Sequence, residues 1–271
     1  MREIIKIVVM EMNTISTAER RSQIAQMVIE NGQVFVSDLV EMFDVSEVSI
    51  RRDLTILEEN QRLKRVHGGA VPIPGNLRTD SFDEKEKLHI HAKERIGRVA
   101  ASLIKQGNII LLDSGTTTLQ VIRNMPHSLR VSNMINMVTN SMPVSHEVLT
   151  WPSPNVTVLG GIYLPDYQAT VGPQTLNQLN ELTADIAFLG TDGLTLEGGA
   201  TTANILMAEV DRMMADHARR TVLVTDSSKF GRMGFVPVKP LASYDTIITD
   251  NEAPADLVSA IRDMGVEVVL V

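Results

Sequence analysis

Cysteine is absent from the 271 residues, which excludes disulfides, thiolate metal sites and cysteine nucleophiles and is compatible with a reducing cytoplasm. Long apolar runs are missing too. The longest near the N-terminus, Ile4 to Met10, is broken by Lys6 and followed at once by Glu11. It is too short for a spanning helix and lacks the small-residue cleavage site of an export signal. The expectation is therefore a cytoplasmic protein with no membrane partner. Internal repeats and low-complexity tracts are also lacking. Nor is there an excess of positive charge: the formal charge of −8 argues against a protein that coats nucleic acid indiscriminately, because such affinity scales with the phosphates neutralised.

What is present is a globular composition. Hydrophobic residues at 44% and charged residues at 21% are spread through short periodic stretches, enough for a sizeable core, and the length favours two domains. Residues 1–16 carry no pattern and are read as a leader of unknown role. From Thr17, Ile24, Met27 and Val28 fall at helical spacing, and Asn31-Gly32 supplies a stop. A short extended piece, Gln33 to Val36, follows. Ser37 is expected to cap a second helix whose Leu39, Val40 and Phe43 face a core, and Asp44-Val45-Ser46 forms the turn. A third helix, Glu47 to Glu59, has Ser46 as its N-cap and buries Ile50, Leu54 and Leu57, which leaves Val48, Arg52, Thr55 and Glu59 pointing outward. Arg62 to Val71 reads as a tight β-hairpin with glycines at its bend. These elements define a winged helix-turn-helix over 17–72, followed by a linker over 73–90.

The second and third helices have helix-turn-helix spacing, in which the third enters the major groove. Arg51 and Arg52 lie in its first half, beside Ser49. A guanidinium either forks to guanine O6 and N7 or clamps a phosphate, and the sequence leaves both open. On the hairpin, Lys64 and Arg65 would reach the backbone or the minor groove. The expected partner is double-stranded DNA, read by a homo-oligomer with an even number of copies, since paired half-sites call for two-fold symmetry.

From 91 to 271 short apolar strands alternate with amphipathic helices, which implies an α/β domain with a mostly parallel, Rossmann-like sheet covered on both faces. The strand Ile109 to Leu112 ends in Asp113-Ser114-Gly115-Thr116-Thr117-Thr118 immediately before a helix. Such a turn offers backbone amides, hydroxyl donors and a helix dipole, which suit a phosphate. Other strand ends carry Thr139-Asn140-Ser141, Gly160-Gly161, Gly190-Thr191-Asp192-Gly193 and Asp226-Ser227-Ser228-Lys229-Phe230-Gly231. Ligands of open α/β sheets bind at the carboxyl ends of strands, so these turns are expected to converge on one crevice. There Ser114 to Thr117 would hold a phosphate, Asn140 and Asp192 sugar hydroxyls, and Lys229 an anion. No cofactor or metal is expected.

The run Val45-Ser46, Ile50-Arg51-Arg52-Asp53-Leu54, Leu57-Glu58, Leu63 and Arg65-Val66-His67-Gly68-Gly69-Ala70 resembles the signature of the DeoR family of bacterial sugar-metabolism regulators. The resemblance implies that Ser46, Ser49, Arg51, Arg52, Arg65 and His67 belong to the DNA-binding surface. Asp53, beside two arginines, fits a local salt bridge better than base reading. Asp113 to Thr117, Thr139 to Ser141, Gly160-Gly161, Phe188 to Gly193, Glu209 and Asp226 to Gly231 are similar to motifs of the same family's sensor domain, which is similar to ribose-5-phosphate isomerase. It implies a repressor of a carbohydrate operon released by a phosphorylated sugar, with Asp113, Gly193 and Glu209 joining the effector site. The alternative is a sugar-phosphate isomerase, in which Asp192, Glu209 and Lys229 would serve as acid or base. Against it, the glycine-rich run after a lysine found in such isomerases is missing, and a catalyst has no use for a winged helix.

Overall fold

The computed structural model describes residues 15–31, 33–60, 62–71, 73, 81–132 and 134–271. All but two residues of the expected leader lie outside these, as do Gly32, Pro72, Pro74 and Gly75. The chain divides into two compact units, Met1–Asp80 and Ser81–Val271.

In the first unit, α1 (Thr17–Asn31) is followed by β1 (Val34–Phe35), α2 (Val36–Phe43), α3 (Glu47–Glu59), β2 (Lys64–Val66) and β3 (Gly69–Val71). Ser16 starts α1 with a reciprocal pair: its hydroxyl oxygen accepts from the Glu19 amide at 3.1 Å, and its own amide donates to the Glu19 carboxylate at 3.0 Å. The apolar repeats of the three helices converge, so that Ile24, Val28, Leu39, Ile50, Leu54, Leu57 and Leu63 form one core. Ser46 caps α3 by accepting from the Ser49 amide at 3.3 Å. The expected Ser37 cap is corrected: α2 begins two residues earlier, with Phe35 at the N-cap, because Val36 is drawn into the core, and the Ser37 hydroxyl donates to Asp38 instead. The three strands pair in the order β1-β3-β2. Gly69 lets β3 approach β1, since a Cβ there would lie 1.9 Å from the Val34 carbonyl oxygen.

One buried charge fastens α1 to α3. The Asp53 carboxylate, 1% exposed, accepts from Arg20 Nε and Arg21 Nε, each at 2.7 Å. Removing one partner of a buried ion pair strands the other without water, at a cost of about 3–5 kcal/mol. Asp53→Ala is accordingly expected to lower the urea midpoint of this unit, with a loss of roughly 3 kcal/mol or more followed by circular dichroism, whereas Glu59→Ala on the exposed end of α3 leaves it unchanged.

The second unit opens with α4 (Phe82–Lys87), inside the stretch expected to be linker. Ser81 and Glu84 form a capping box, and Phe82 is buried in the core, so the charges clustered here decorate a docked helix. The remaining elements are α5 (Ile90–Ser102), β4 (Ile109–Leu112), α6 (Thr116–Arg123), α7 (His127–Val131), β5 (Asn136–Thr139), α8 (Met142–Val148), β6 (Val156–Val158), β7 (Ile162–Leu164), β8 (Ala169–Val171), α9 (Pro173–Asn180), β9 (Ala184–Leu189), β10 (Gly193–Thr195), β11 (Gly199–Thr202), α10 (Ile205–Asp216), β12 (Ala218–Val224), β13 (Val236–Lys239), β14 (Thr246–Thr249), α11 (Ala255–Asp263) and β15 (Glu267–Leu270).

Seven strands form one sheet in the order β15-β14-β12-β9-β4-β5-β6, and every neighbouring pair is parallel. Alternate residues sort to opposite faces: Ile110, Leu112 and Phe188 pack with Ile96 of α5 and Ile122 of α6, while Leu111, Ala187 and Leu223 pack with Val210 and Met214 of α10. A small antiparallel sheet, β10-β11-β13, and the β7-β8 hairpin complete the unit. Among the described residues no helix is long and apolar enough to cross a membrane. The strand order reverses direction between β4 and β9, and such a switch point opens a crevice at the carboxyl ends of the strands.

Candidate functional site

On the first unit, the outward side of α3 is polar and exposed. Arg51 pairs with Glu47 one turn back, Nε to Oε1 at 2.8 Å, so its guanidinium is already oriented. Arg52 is exposed and has no side-chain hydrogen bond to a described residue, as is true of Lys64 and His67 on the wing. Arg65 behaves differently. Its Nη1 donates to Thr55 Oγ1 at 2.5 Å and its backbone amide to Glu58 Oε1 at 2.8 Å, so it staples the wing to α3. Ser49 shares a hydrogen bond with Ser46 at 2.9 Å between their hydroxyl oxygens.

The second unit holds a cleft at the switch point. The loop after β4 supplies Ser114 to Thr117, with Gly115 at the N-cap of α6 and no side chain capping the helix. The first amides of that helix therefore face the cleft without an intrahelical partner. Asp113 locks this loop to the one after β9: its carboxylate accepts from the Gly115 amide at 2.8 Å and from the Gly190 amide. Burial pushes the Asp113 pKa upward although both amides pull it down.

Three lysines enter the same cleft. Lys85 of α4 donates to Asp192 Oδ1 at 2.6 Å and lies 5.5 Å above the Tyr167 ring. Asp192 also accepts from Thr202 Oγ1 at 3.0 Å and the Ala203 amide at 3.1 Å. Burial opposes the Asp192 charge most strongly, but Lys85, together with Lys229 and the Ala203 amide, holds the carboxyl below the usual range. Lys93 of α5 is 3% exposed and donates to the Lys85 carbonyl oxygen. Its burial, aided by Lys229 and Lys85 and opposed by Asp226, lowers its pKa to about 8. Lys229 follows β12. Asp226, buried beside Lys229 and Lys93, stays ionised because these cations overcome its desolvation. From α10, Asp211 lines the cleft with no hydrogen bond to a described residue, and burial, reinforced by Asp113 and Asp192, raises its pKa well above 3.8.

Two family models match this chain: the DeoR-like helix-turn-helix domain over residues 20–74 and the DeoR C-terminal sensor domain over 88–251. The chain belongs to the DeoR family. It is a DNA-binding transcriptional regulator with a sensor domain. Similar relatives include a candidate aga operon transcriptional repressor of Escherichia coli O157:H7, 35% identical over 96% of both chains. The HTH-type transcriptional regulator GlpR of Haloferax volcanii is 34% identical over 93% of this chain and 97% of its own. The glycerol-3-phosphate regulon repressor of Escherichia coli K12 is 28% identical over 93% and 98%. These relatives are regulators, not enzymes. A likeness to ribose 5-phosphate isomerase A of Methanocaldococcus jannaschii is partial, with 19% identity, a TM-score of 0.37, and 51% of this chain and 53% of that one covered.

In this DeoR-family sensor the cleft gathers Asp113, Ser114, Gly115, Thr116, Thr117, Asp192 and Lys229. Other expected effector residues sit elsewhere. Asn140 is fully buried and donates to the Thr170 carbonyl oxygen at 3.0 Å. The Gly160 amide donates to Gln178 Oε1 at 3.2 Å, and Gly161 is there for close approach, since a Cβ would lie 2.2 Å from Thr175 Oγ1. Gly193 opens β10 against the Arg232 backbone, and half-buried Glu209 lies on α10 away from the cleft lining. Expectation missed Lys85, Lys93 and Asp211, which stand on helices without a local motif. Only the burial of a lone charge at a core-facing helical position marks them.

Asp211 carries a stability consequence. An acid whose pKa is raised on folding adds stability at low pH, and that contribution is lost as pH climbs from 3.8 through the raised value. Asp211→Asn removes this loss, so the variant is expected to melt higher than wild type at pH 7 and to converge with it near pH 4; an equal or lower melting temperature at pH 7 contradicts the assignment.

Proposed function

We propose that this regulator represses a carbohydrate-metabolism operon and that a phosphorylated sugar in the sensor cleft changes its affinity for double-stranded operator DNA. The observation that carries the reading is the meeting of an uncapped helix N-terminus, flanked by Ser114, Thr116 and Thr117, with Lys93 and Lys229 in one cleft. Backbone amides, hydroxyls and ammonium groups together fit a phosphate dianion. Asp192, fixed by Lys85, offers its carboxylate edge to sugar hydroxyls. The names of two relatives, repressors of the aga operon and of the glycerol-3-phosphate regulon, agree with a carbohydrate target. In this reading the protein works in the cytoplasm and needs no cofactor.

On the DNA side, Arg52, Lys64 and His67 are the contacts offered without rearrangement. Arg51 is aimed by Glu47, Ser46 and Ser49 present hydroxyls to phosphates, and Arg65 would divide its donors between the wing staple and DNA. Two half-sites call for an even homo-oligomer. The effector acts by linkage: it binds one arrangement of the sensor better, and the difference appears as a change in operator affinity.

Titration of operator binding against a panel of sugar phosphates tests the reading directly, and release of DNA by none of them overturns it. Arg52→Ala is expected to cost about 1–3 kcal/mol of operator affinity at fixed salt while leaving the melting temperature unchanged. For the cleft, anion binding needs the Lys93 ammonium, and a sugar phosphate with a second pKa near 6 is fully ionised at pH 7. Effector affinity measured by isothermal titration should thus fall as pH rises above about 8. Lys93→Gln should bind more weakly throughout and lose that decline; a decline of the same steepness in the variant would remove Lys93 from the phosphate site.

A further inference from the structure

The sensor cleft is electrically two-sided. The charges that act on Lys93 of α5 are Asp226, Lys229, Lys85 and Glu86, on α4 and the loop after β12. The charges that act on Asp211, which α10 carries on the opposite face of the sheet, are Asp113, Asp192 and Arg212. Arg212 does not serve the cleft, because its guanidinium donates to the backbone carbonyls of Pro237 and Val238 at 2.6 and 3.2 Å. Asp192 stands between the two sides and is matched by Lys85 at 2.6 Å. That leaves Asp211 as an acid in the cleft wall, 5% exposed, with no cation reaching it from within the cleft and with Oδ1 lacking a hydrogen-bond partner among the described residues. The buried Tyr244 hydroxyl, whose pKa burial and Asp211 push upward, also lacks a hydrogen-bond partner among the described residues.

An unpaired buried acid that lines a binding cleft selects its neighbours. A hydroxyl or an amine can hydrogen-bond to it in either protonation state, since a carboxylate accepts and a carboxylic acid both donates and accepts. A second anionic group meets like-charge repulsion from the ionised acid, and is admitted only if Asp211 takes up or keeps a proton, whereas a hydroxyl or an amine carries no such condition. Resting on the phosphosugar reading above, we propose that Asp211 is a specificity-determining residue: the cleft accepts sugars with a single phosphate whose far end is uncharged or amino, and rejects those with a second phosphate or a carboxylate.

The test pairs ligands that differ by one anionic group: fructose 6-phosphate against fructose 1,6-bisphosphate, glucose 6-phosphate against 6-phosphogluconate, with glucosamine 6-phosphate as the amino case. Binding to the full chain is measured by isothermal titration, in wild type and in Asp211→Asn, which keeps the side-chain shape and cannot ionise. In wild type each doubly anionic ligand is expected to bind at least about tenfold more weakly than its partner, a like-charge penalty of roughly 1.4 kcal/mol or more. In Asp211→Asn that gap should shrink to within about threefold. A doubly anionic ligand that binds wild type as tightly as its partner overturns the inference while leaving the phosphosugar reading in place, and a gap that persists unchanged in the variant removes Asp211 from its cause. If the wild-type protein binds none of the five ligands, the phosphosugar reading itself falls, and this inference with it.

Discussion

The sensor depends on one carboxylate. Asp113 sits at the end of β4, where the strand order turns back toward β9, and it accepts amides from both loops that leave this point, Gly115 on one side and Gly190 on the other. Without an acceptor there, two half-buried N–H groups would lose their partner, and the link between the two loops that form the cleft walls would go with it. Everything else in the cleft is hung on this fixture. The N-terminus of α6 is aimed by it, Asp192 follows two residues after Gly190, and the three lysines close the side that remains.

Much of this architecture was legible in the chain because its causes are local. The apolar repeats of α1 and α3, the Ser46 cap, the glycine-bent wing and the short apolar strands of a sheet covered on both faces all follow from neighbours in sequence. The polar, glycine-containing turn between β4 and α6 was legible for the same reason. The expectation for Asp53 holds only in kind: it forms a salt bridge, but with Arg20 and Arg21 of α1 and not with the arginines beside it in sequence. The Ser37 cap was misplaced by two residues because burial of Val36 outweighed the hydroxyl preference.

What could not be read was which strand ends share the crevice. Each polar turn looks equivalent in sequence, yet β5 and β6 lie outward from β4, on the side away from β9. Their turns, with Asn140, Gly160 and Gly161, are consumed in packing and backbone bonds. Conversely, Lys85, Lys93 and Asp211 reach the cleft from helices on both faces, a consequence of how the layers stack, with no signature over a few residues. The charged stretch over 81–87 looked like connecting chain because the one apolar residue that anchors it, Phe82, is isolated in sequence.

That short helix has a structural meaning. Its capping box starts at Ser81, one residue beyond the boundary of the first unit, and its Phe82 and Lys85 are part of the cleft wall. The start of the second unit is thus part of the cleft wall and not of a connecting stretch. An occupant of the cleft would therefore lie against the first helix of the second unit, at Phe82 and Lys85.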